Sequence, residues 1–242
     1  DAYDARGRVV HESIFNVNNG VYRCPSTQQG YAPFSTWTRG HAWILLGYTE
    51  QLEFMQSLPS AQIDGIAPGL FATKASILRR FLEVATAVAD YYLEQTPVDG
   101  IPYWDTGAPG LALLGDYLER PADPFNNHEP VDSSAAAISA QGLIRLGRYL
   151  ELKEKNSLAR RYFQAGLTIA DRLFDAPYLS TDPNHQGLLL HSVYHRPNAW
   201  DHIPEGQKVP CGESSMWGDY HAMELGLMIL RMATDKPYYK FF

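Results

Sequence analysis

Apolar residues recur at helical spacing in five stretches of the chain, and the segments between them hold most of the Pro, Gly and Asn. The first stretch runs from about Thr38 to Leu58 through Trp43, Leu46, Gly47, Leu52 and Met55, and Pro59 ends it. In the second, about Phe71 to Gln95, an apolar face of Ile77, Phe81, Val84, Val88 and Tyr91 opposes Lys74, Arg79, Glu83 and Asp90. Thr96-Pro97 stops it, because the residue before a proline is driven out of helical geometry. The third opens on Asp132-Ser133-Ser134, a natural N-cap cluster, and continues through Ala135, Ile138, Leu143, Leu146 and Leu150. The fourth covers about Ser157 to Phe174. The fifth, about Ser214 to Met232, is apolar on most sides and predicts a largely buried helix.

Two shorter stretches read as extended: Val9 to Ser13, around His11, and Gly187 to Tyr194. The links 100–130 and 179–212 are long for a compact domain, and such connections usually carry function. There is no βαβ alternation and no short repeat, so the pattern predicts an all-α array, one domain over 1–242.

Composition narrows the choice of partners. The chain has 20 Lys and Arg against 27 Asp and Glu, a net charge of −7, with no basic run. That argues against a nucleic-acid surface or an anionic membrane. No apolar window of about 18 residues suggests a membrane span, and the opening Asp1-Ala2-Tyr3-Asp4 lacks a basic patch followed by an apolar stretch. A soluble chain is expected, with cytoplasmic and secreted compartments both open. Cys24 and Cys211 are too few for a disulfide scaffold or a zinc site; two unpaired thiols are expected, one long-range bridge being the alternative. The 15 Tyr, 10 Phe and 5 Trp matter more, since flat amphipathic rings line sugar sites and interfaces.

The densest chemistry lies between Gln28 and Trp43. Trp37, Arg39 and Trp43 fall at the start of the first helix, where free N–H groups and the macrodipole favour an anion. An arginine there can fork onto a carboxylate while the indoles offer stacking faces. The structural alternative makes both tryptophans core and pairs Arg39 with an acid of a neighbouring helix. His11 is open to a hydrogen-bonded structural role or a catalytic one.

His191 and His195 have the i, i+4 spacing of helical metal ligands, but Pro197 argues against a helix there, and no metal site is expected. Pro102-Tyr103-Trp104-Asp105 and Trp200-Asp201-His202 suit sugar recognition and loop packing alike. Asp132 reads as a helix cap, with an acid catalyst as the alternative, and Asp219 as a structural carboxylate bonded to backbone N–H groups. Phosphate loops, Gly-x-Ser-x-Gly elbows and His-Glu-x-x-His are absent, and no cofactor is implied.

Trp37-Thr38-Arg39-Gly40-His41-Ala42-Trp43 resembles the Trp-x-Arg-Gly-x-x-Trp signature of the unsaturated glucuronyl hydrolases, glycoside hydrolase family 88. Pro102 to Asp105, Asp132 to Ala137, Gly187 to Pro197 and Gly212 to Tyr220 are similar to the same family in the same order. The resemblance implies an (α/α)6 barrel of six hairpins. It also implies removal of a 4,5-unsaturated uronic acid from the non-reducing end of oligosaccharides left by polysaccharide lyases. In that family an aspartic acid protonates the double bond, water adds at C5, and the hemiketal opens to release the sugar, unlike displacement at C1. His11, Gln29, Trp37, Arg39 and Trp43 match family positions lining the substrate pocket, with His41 where Gln is commoner.

The family's two key aspartates lie upstream of the position matching His11, and Asp1 and Asp4 stand in the wrong context for either. Twelve barrel helices also need a longer chain than 242 residues. The expectation is therefore an incomplete barrel, its C-terminal portion, with the catalytic acid elsewhere. A catalytically silent carbohydrate-binding helical domain is the alternative, and a structural α-array whose aromatic clusters only pack is a third.

Overall fold

A computed structural model of the chain describes residues 6–242, except for the side chain of Leu70. Asp1 and Asp4 lie outside the described residues. Among those residues five α-helices follow a short hairpin: β1 (Glu12–Phe15), β2 (Tyr22–Ser26), α1 (Thr38–Ser57), α2 (Lys74–Glu94), α3 (Ser133–Glu151), α4 (Asn156–Leu173) and α5 (Met216–Ala233). All five helical stretches are found within a few residues of their expected bounds. The largest shift is at α2, where a 3-10 turn at Gly69–Phe71 precedes a capping box between Thr73 and Ser76.

The helices form two layers. α1, α3 and α5 stand side by side with their first turns together: Arg39 of α1 and Trp217 of α5 both touch the α3 cap region. α2 runs antiparallel behind α1, so that His41 near the start of α1 reaches Val88 O near the end of α2 at 2.8 Å. α4 backs α3 in the same way. Close approach is allowed by missing side chains: a Cβ on Gly142 of α3 would lie 2.9 Å from Leu45 Cγ and 3.0 Å from Leu46 N of α1. A Cβ on Gly166 of α4 would meet Ala140 O at 2.9 Å.

α3 is the axis of the core, with every residue from Ser133 to Gly147 buried. Leu45, Val88, Ile144, Leu150, Ile169 and Leu225 bring all five helices into one apolar cluster.

Two expectations need correction. α5 is not largely buried: Met216, Tyr220, Met223, Leu227 and Leu230 leave an exposed apolar stripe, while Ala222, Leu225 and Met228 face the core. Only one side of α5 has helices to pack against among the described residues, so a uniformly apolar sequence is half covered. Gly187 to Tyr194 forms no strand; it makes one isolated bridge, Leu179 with Leu189, and His191 turns the chain at φ 65°. His191 is held there by its ring, whose Nδ1 accepts from Gly212 N at 3.0 Å. The extended stretch expected at His11 is present, and it opens an antiparallel hairpin with register Glu12 to Ser26. Asn19-Gly20, with Gly20 at φ 69°, supplies the turn.

Candidate functional site

Where the first turns of α1, α3 and α5 meet, a cavity of about 350 Å³ opens. Its walls come from Gln28 and Gln29, from Trp37, Arg39 and Trp43 at the start of α1, from Tyr194, His195 and Trp200 in the long link, and from Trp217 on α5. A cavity of 580 Å³ lies at the opposite ends of the helices, under the segment from Asp235 to Lys240. There Glu53 already pairs with Arg145 at 2.6 Å and accepts from Tyr238, so its buried charges are satisfied internally.

Planar groups line the smaller cavity in succession. The Arg39 guanidinium lies 4.8 Å from the Trp37 ring centre and 4.6 Å from that of Trp217. Tyr194 stacks on Trp217 at 5.3 Å and 26°, and on its other contact meets Trp200 at 5.6 Å. His195 in turn approaches Trp200 at 4.8 Å. Such a surface joins cation–π attraction to apolar faces wide enough for a sugar ring.

Arg39 is buried and fully engaged by protein. Nη1 donates to Asp132 Oδ2 at 3.3 Å and to Val193 O; Nη2 donates to Gln29 Oε1 at 3.1 Å and to Tyr194 O at 2.8 Å. Burial pulls its pKa down from the ordinary guanidinium value, with Asp132 opposing. The pairing with an acid of a neighbouring helix is thus present, and Arg39 lines the cavity as well. Asp132 is the expected cap of α3: Oδ1 accepts from Ser134 N at 3.1 Å and Ala135 N at 3.4 Å. The helix starts are closed by protein groups rather than free, with Thr38 N donating to Trp104 O at 3.1 Å and Gly218 N to Ser215 Oγ at 3.1 Å. Charge at this end therefore comes from Arg39 and the aligned peptide dipoles more than from open N–H groups.

Gln29, Trp37, Arg39 and Trp43 are brought together as expected, but in different environments. Trp37 is buried, whereas Trp43 is 39% exposed and borders the cavity. His11 is not among the cavity walls; its ring packs on Trp37 at 4.7 Å. Its Nδ1 accepts from the backbone N–H of Gln28 at 3.2 Å and of Gln29 at 3.4 Å, which assigns the proton of the neutral ring to Nε2. Burial lowers its pKa, with Glu12 acting the other way and the charges of His195 and Arg39 adding to the fall.

Five walls were not singled out from the sequence as pocket residues: Gln28, Tyr194, His195, Trp200 and Trp217. The aromatic-acid pairs were the available signal. Asp201 binds the backbone N–H groups of Tyr194 and His195, the latter at 3.0 Å, and so fixes the turn that presents both rings. Asp219 likewise accepts from Leu188 N and Leu189 N, at 3.0 and 2.8 Å, tying α5 to the same link. Pro102-Tyr103-Trp104-Asp105 packs inside instead: Trp104 Nε1 donates to Glu129 at 2.8 Å, and Asp105 accepts from Tyr31 N at 2.9 Å. Asp105 is buried, which raises its pKa, and it braces the Gln28 to Trp37 loop from behind. Cys24 and Cys211 are free thiols. No helix of the described residues is long and apolar enough to cross a membrane.

No family model matches the chain. Curated proteins do. The unsaturated glucuronyl hydrolase of Bacillus sp. (strain GL1) is 26% identical over 228 residues, covering 94% of this chain and 48% of that protein. The unsaturated chondroitin disaccharide hydrolase of Streptococcus pyogenes serotype M1 is 26% identical over 231 residues, covering 95% of this chain and 45% of that one. The chain spans about half the length of the curated relatives it matches. The crystal structure of the Bacillus sp. GL1 enzyme superposes with a TM-score of 0.68, covering 99% of this chain and 50% of that chain. Those structures are α/α barrels, which accounts for the alternation of inner α1, α3 and α5 with outer α2 and α4. By sequence and by fold, the chain is a relative of the unsaturated glucuronyl hydrolases.

Proposed function

We propose that the cavity at the starts of α1, α3 and α5 holds the 4,5-unsaturated uronic acid at the non-reducing end of an oligosaccharide left by a polysaccharide lyase. The chain then acts as part of a glycoside hydrolase that hydrates the enol ether and releases the remaining sugar. The observation that carries this reading is the cavity wall, where the exposed rings of Trp43, Tyr194 and Trp200 stand beside the buried cation of Arg39.

Trp37 and Trp43 serve as walls, and Gln29 and Arg39 set the polar side. With its Nη groups engaged, Arg39 contributes field rather than an open fork. His11, outside the cavity walls, backs the Trp37 ring. The names of relatives support the substrate class: one solved relative is described as responsible for the degradation of glycosaminoglycan, and another carries an unsaturated glucuronyl tetrasaccharide in its description.

The proton donor lies outside these residues in this reading. Among the residues that wall the cavity there is no Asp or Glu. The exposed stripe of α5 fits the same view, in which 1–242 forms a single domain that is the C-terminal part of a larger (α/α)6 barrel. The missing carboxylate also favours a second reading, a carbohydrate-binding helical domain without catalysis of its own.

Calorimetric titration of the 242-residue chain with an unsaturated glucuronyl disaccharide tests the cavity assignment that both readings share, and loss of absorbance of its conjugated double bond shows whether these residues alone turn it over. Binding with turnover supports an enzyme complete in these residues. Binding without turnover supports the silent reading, or an acid supplied from elsewhere. Affinity no greater than for the saturated disaccharide overturns the proposal.

A further inference from the structure

The three helix starts are joined by a closed circuit of polar and cation–π contacts. Trp217 Nε1–H donates to Ser134 Oγ at 3.2 Å, and Ser134 Oγ–H donates to Asp132 Oδ1 at 2.5 Å. Asp132 Oδ2 accepts from Arg39 Nη1 at 3.3 Å, and the Arg39 guanidinium returns to the Trp217 ring at 4.6 Å. Each member sits within the first turn of its helix or at its cap: Arg39 in α1, Asp132 and Ser134 in α3, Trp217 in α5.

Asp132 and Ser134 are wholly buried and do not wall the cavity, so neither can touch a ligand there. What they control is orientation. An indole is free to turn about its side-chain bonds unless its N–H is held, and a guanidinium between two rings can tilt unless an acceptor fixes its edge. Ser134 spends its donor on Asp132 and its acceptor capacity on Trp217, so the hydroxyl couples a charge on one side to a ring on the other. Asp132 is wholly buried, with Oδ1 shared among the helix cap, Ser134 and the Val193 amide and Oδ2 given to the arginine.

We infer that Asp132 and Ser134 are positioning residues, which hold the Trp217 indole and the Arg39 guanidinium in fixed register across the cavity so that an anionic sugar meets a preformed wall. The benefit to binding rests on the function proposed above; the tether itself does not.

The test uses the 242-residue chain labelled with ¹⁵N at its indoles, the Trp217 resonance being assigned by Trp217→Phe. In Ser134→Ala the Trp217 Nε1–H signal should shift and broaden while the other indoles hold, and affinity for an unsaturated glucuronyl disaccharide should fall about ten-fold. Trp217→Phe, which keeps a ring but loses the donor, should fall by a similar factor. The double variant should lose little more than either alone, because both break the same bond.

An unmoved Trp217 resonance in Ser134→Ala overturns the inference. So does binding within two-fold of the parent, or full additivity in the double variant. If Ser134→Ala does not fold, Trp217→Phe with undiminished affinity overturns it equally. If the parent chain binds no disaccharide, the proposed function falls, and the indole resonance alone decides whether the tether exists.

Discussion

The indole of Trp43 meets the imidazole of His221 edge to face, with ring centres 4.9 Å apart and planes at 65°. One ring belongs to α1 and the other to α5, and His221 Nδ1 lies 2.9 Å from Gln141 Nε2 on the intervening α3. Burial holds His221 at a pKa of about 4, so the ring is neutral at neutral pH and Trp43 leans on an uncharged support. Trp43 is thus braced by α5 while it remains partly exposed at the cavity.

Trp43→Ala should therefore cost binding more than folding. Affinity for an unsaturated glucuronyl disaccharide should drop by about ten-fold, roughly one aromatic contact, and Trp43→Phe should recover most of it. Titration calorimetry beside urea unfolding reads both quantities. A variant that loses stability by several kcal/mol with unchanged affinity would place Trp43 in the core instead.

His41, His191 and His221 are all held by burial at about 4, below the ordinary imidazole value of 6.5. As pH falls through that value the unfolded chain takes up protons that the folded chain refuses. Their stabilising contribution is complete above about pH 6.5 and is lost between there and about pH 4, on the order of 3 kcal/mol for each ring. Glu50, Asp99 and Asp105, whose pKa values are raised by burial, act in the opposite sense at lower pH. Urea midpoints between pH 7 and 5 should fall, and His41→Gln, which can keep a donor toward Val88 O, should flatten the slope by about one proton. A midpoint that does not change over this range would contradict the burial of these rings.

Arg39→Lys should destabilise the chain by about 3 to 5 kcal/mol, since an ammonium cannot reach four acceptors from between two rings and Asp132 is left buried without its partner. Urea unfolding measures it. A loss below about 1 kcal/mol would make Arg39 dispensable to the fold.

Gly142→Ala should cost about 1 to 3 kcal/mol, because the new methyl lands on the backbone and side chain of α1. On α5 the corrected burial makes a sharper contrast. Leu227→Lys on the exposed stripe should stay within about 0.5 kcal/mol of the parent, while Leu225→Ala on the core face should lose about 2 to 5 kcal/mol. Equal losses at the two positions would mean that the stripe is covered.

Much of the fold was legible along the chain. Periodicity located all five helices, and Asp132 sits where a cap is needed, whereas the cap at Thr73 went unread and the second helix was begun a few residues early. The hairpin was half read, through the extended stretch at His11; Asn19-Gly20 was the unused signal for its return strand. The depth of α5 was misjudged because composition reports how apolar a helix is and not how many neighbours cover it.

The site divided along the same line. The motif from Trp37 to Trp43 already placed two indoles and a guanidinium at the cap and first two turns of a helix, and the spacing of residues along a helix alone is enough for that. Residues 93 and 154 positions away, Asp132 and Val193, then took up the donors of Arg39. Trp217 arrived from the last helix to cover its other face. Local chemistry determines which side chains a segment can offer. Which of their atoms remain free for a ligand is set by long-range packing, because a buried donor must find an acceptor wherever the fold brings one.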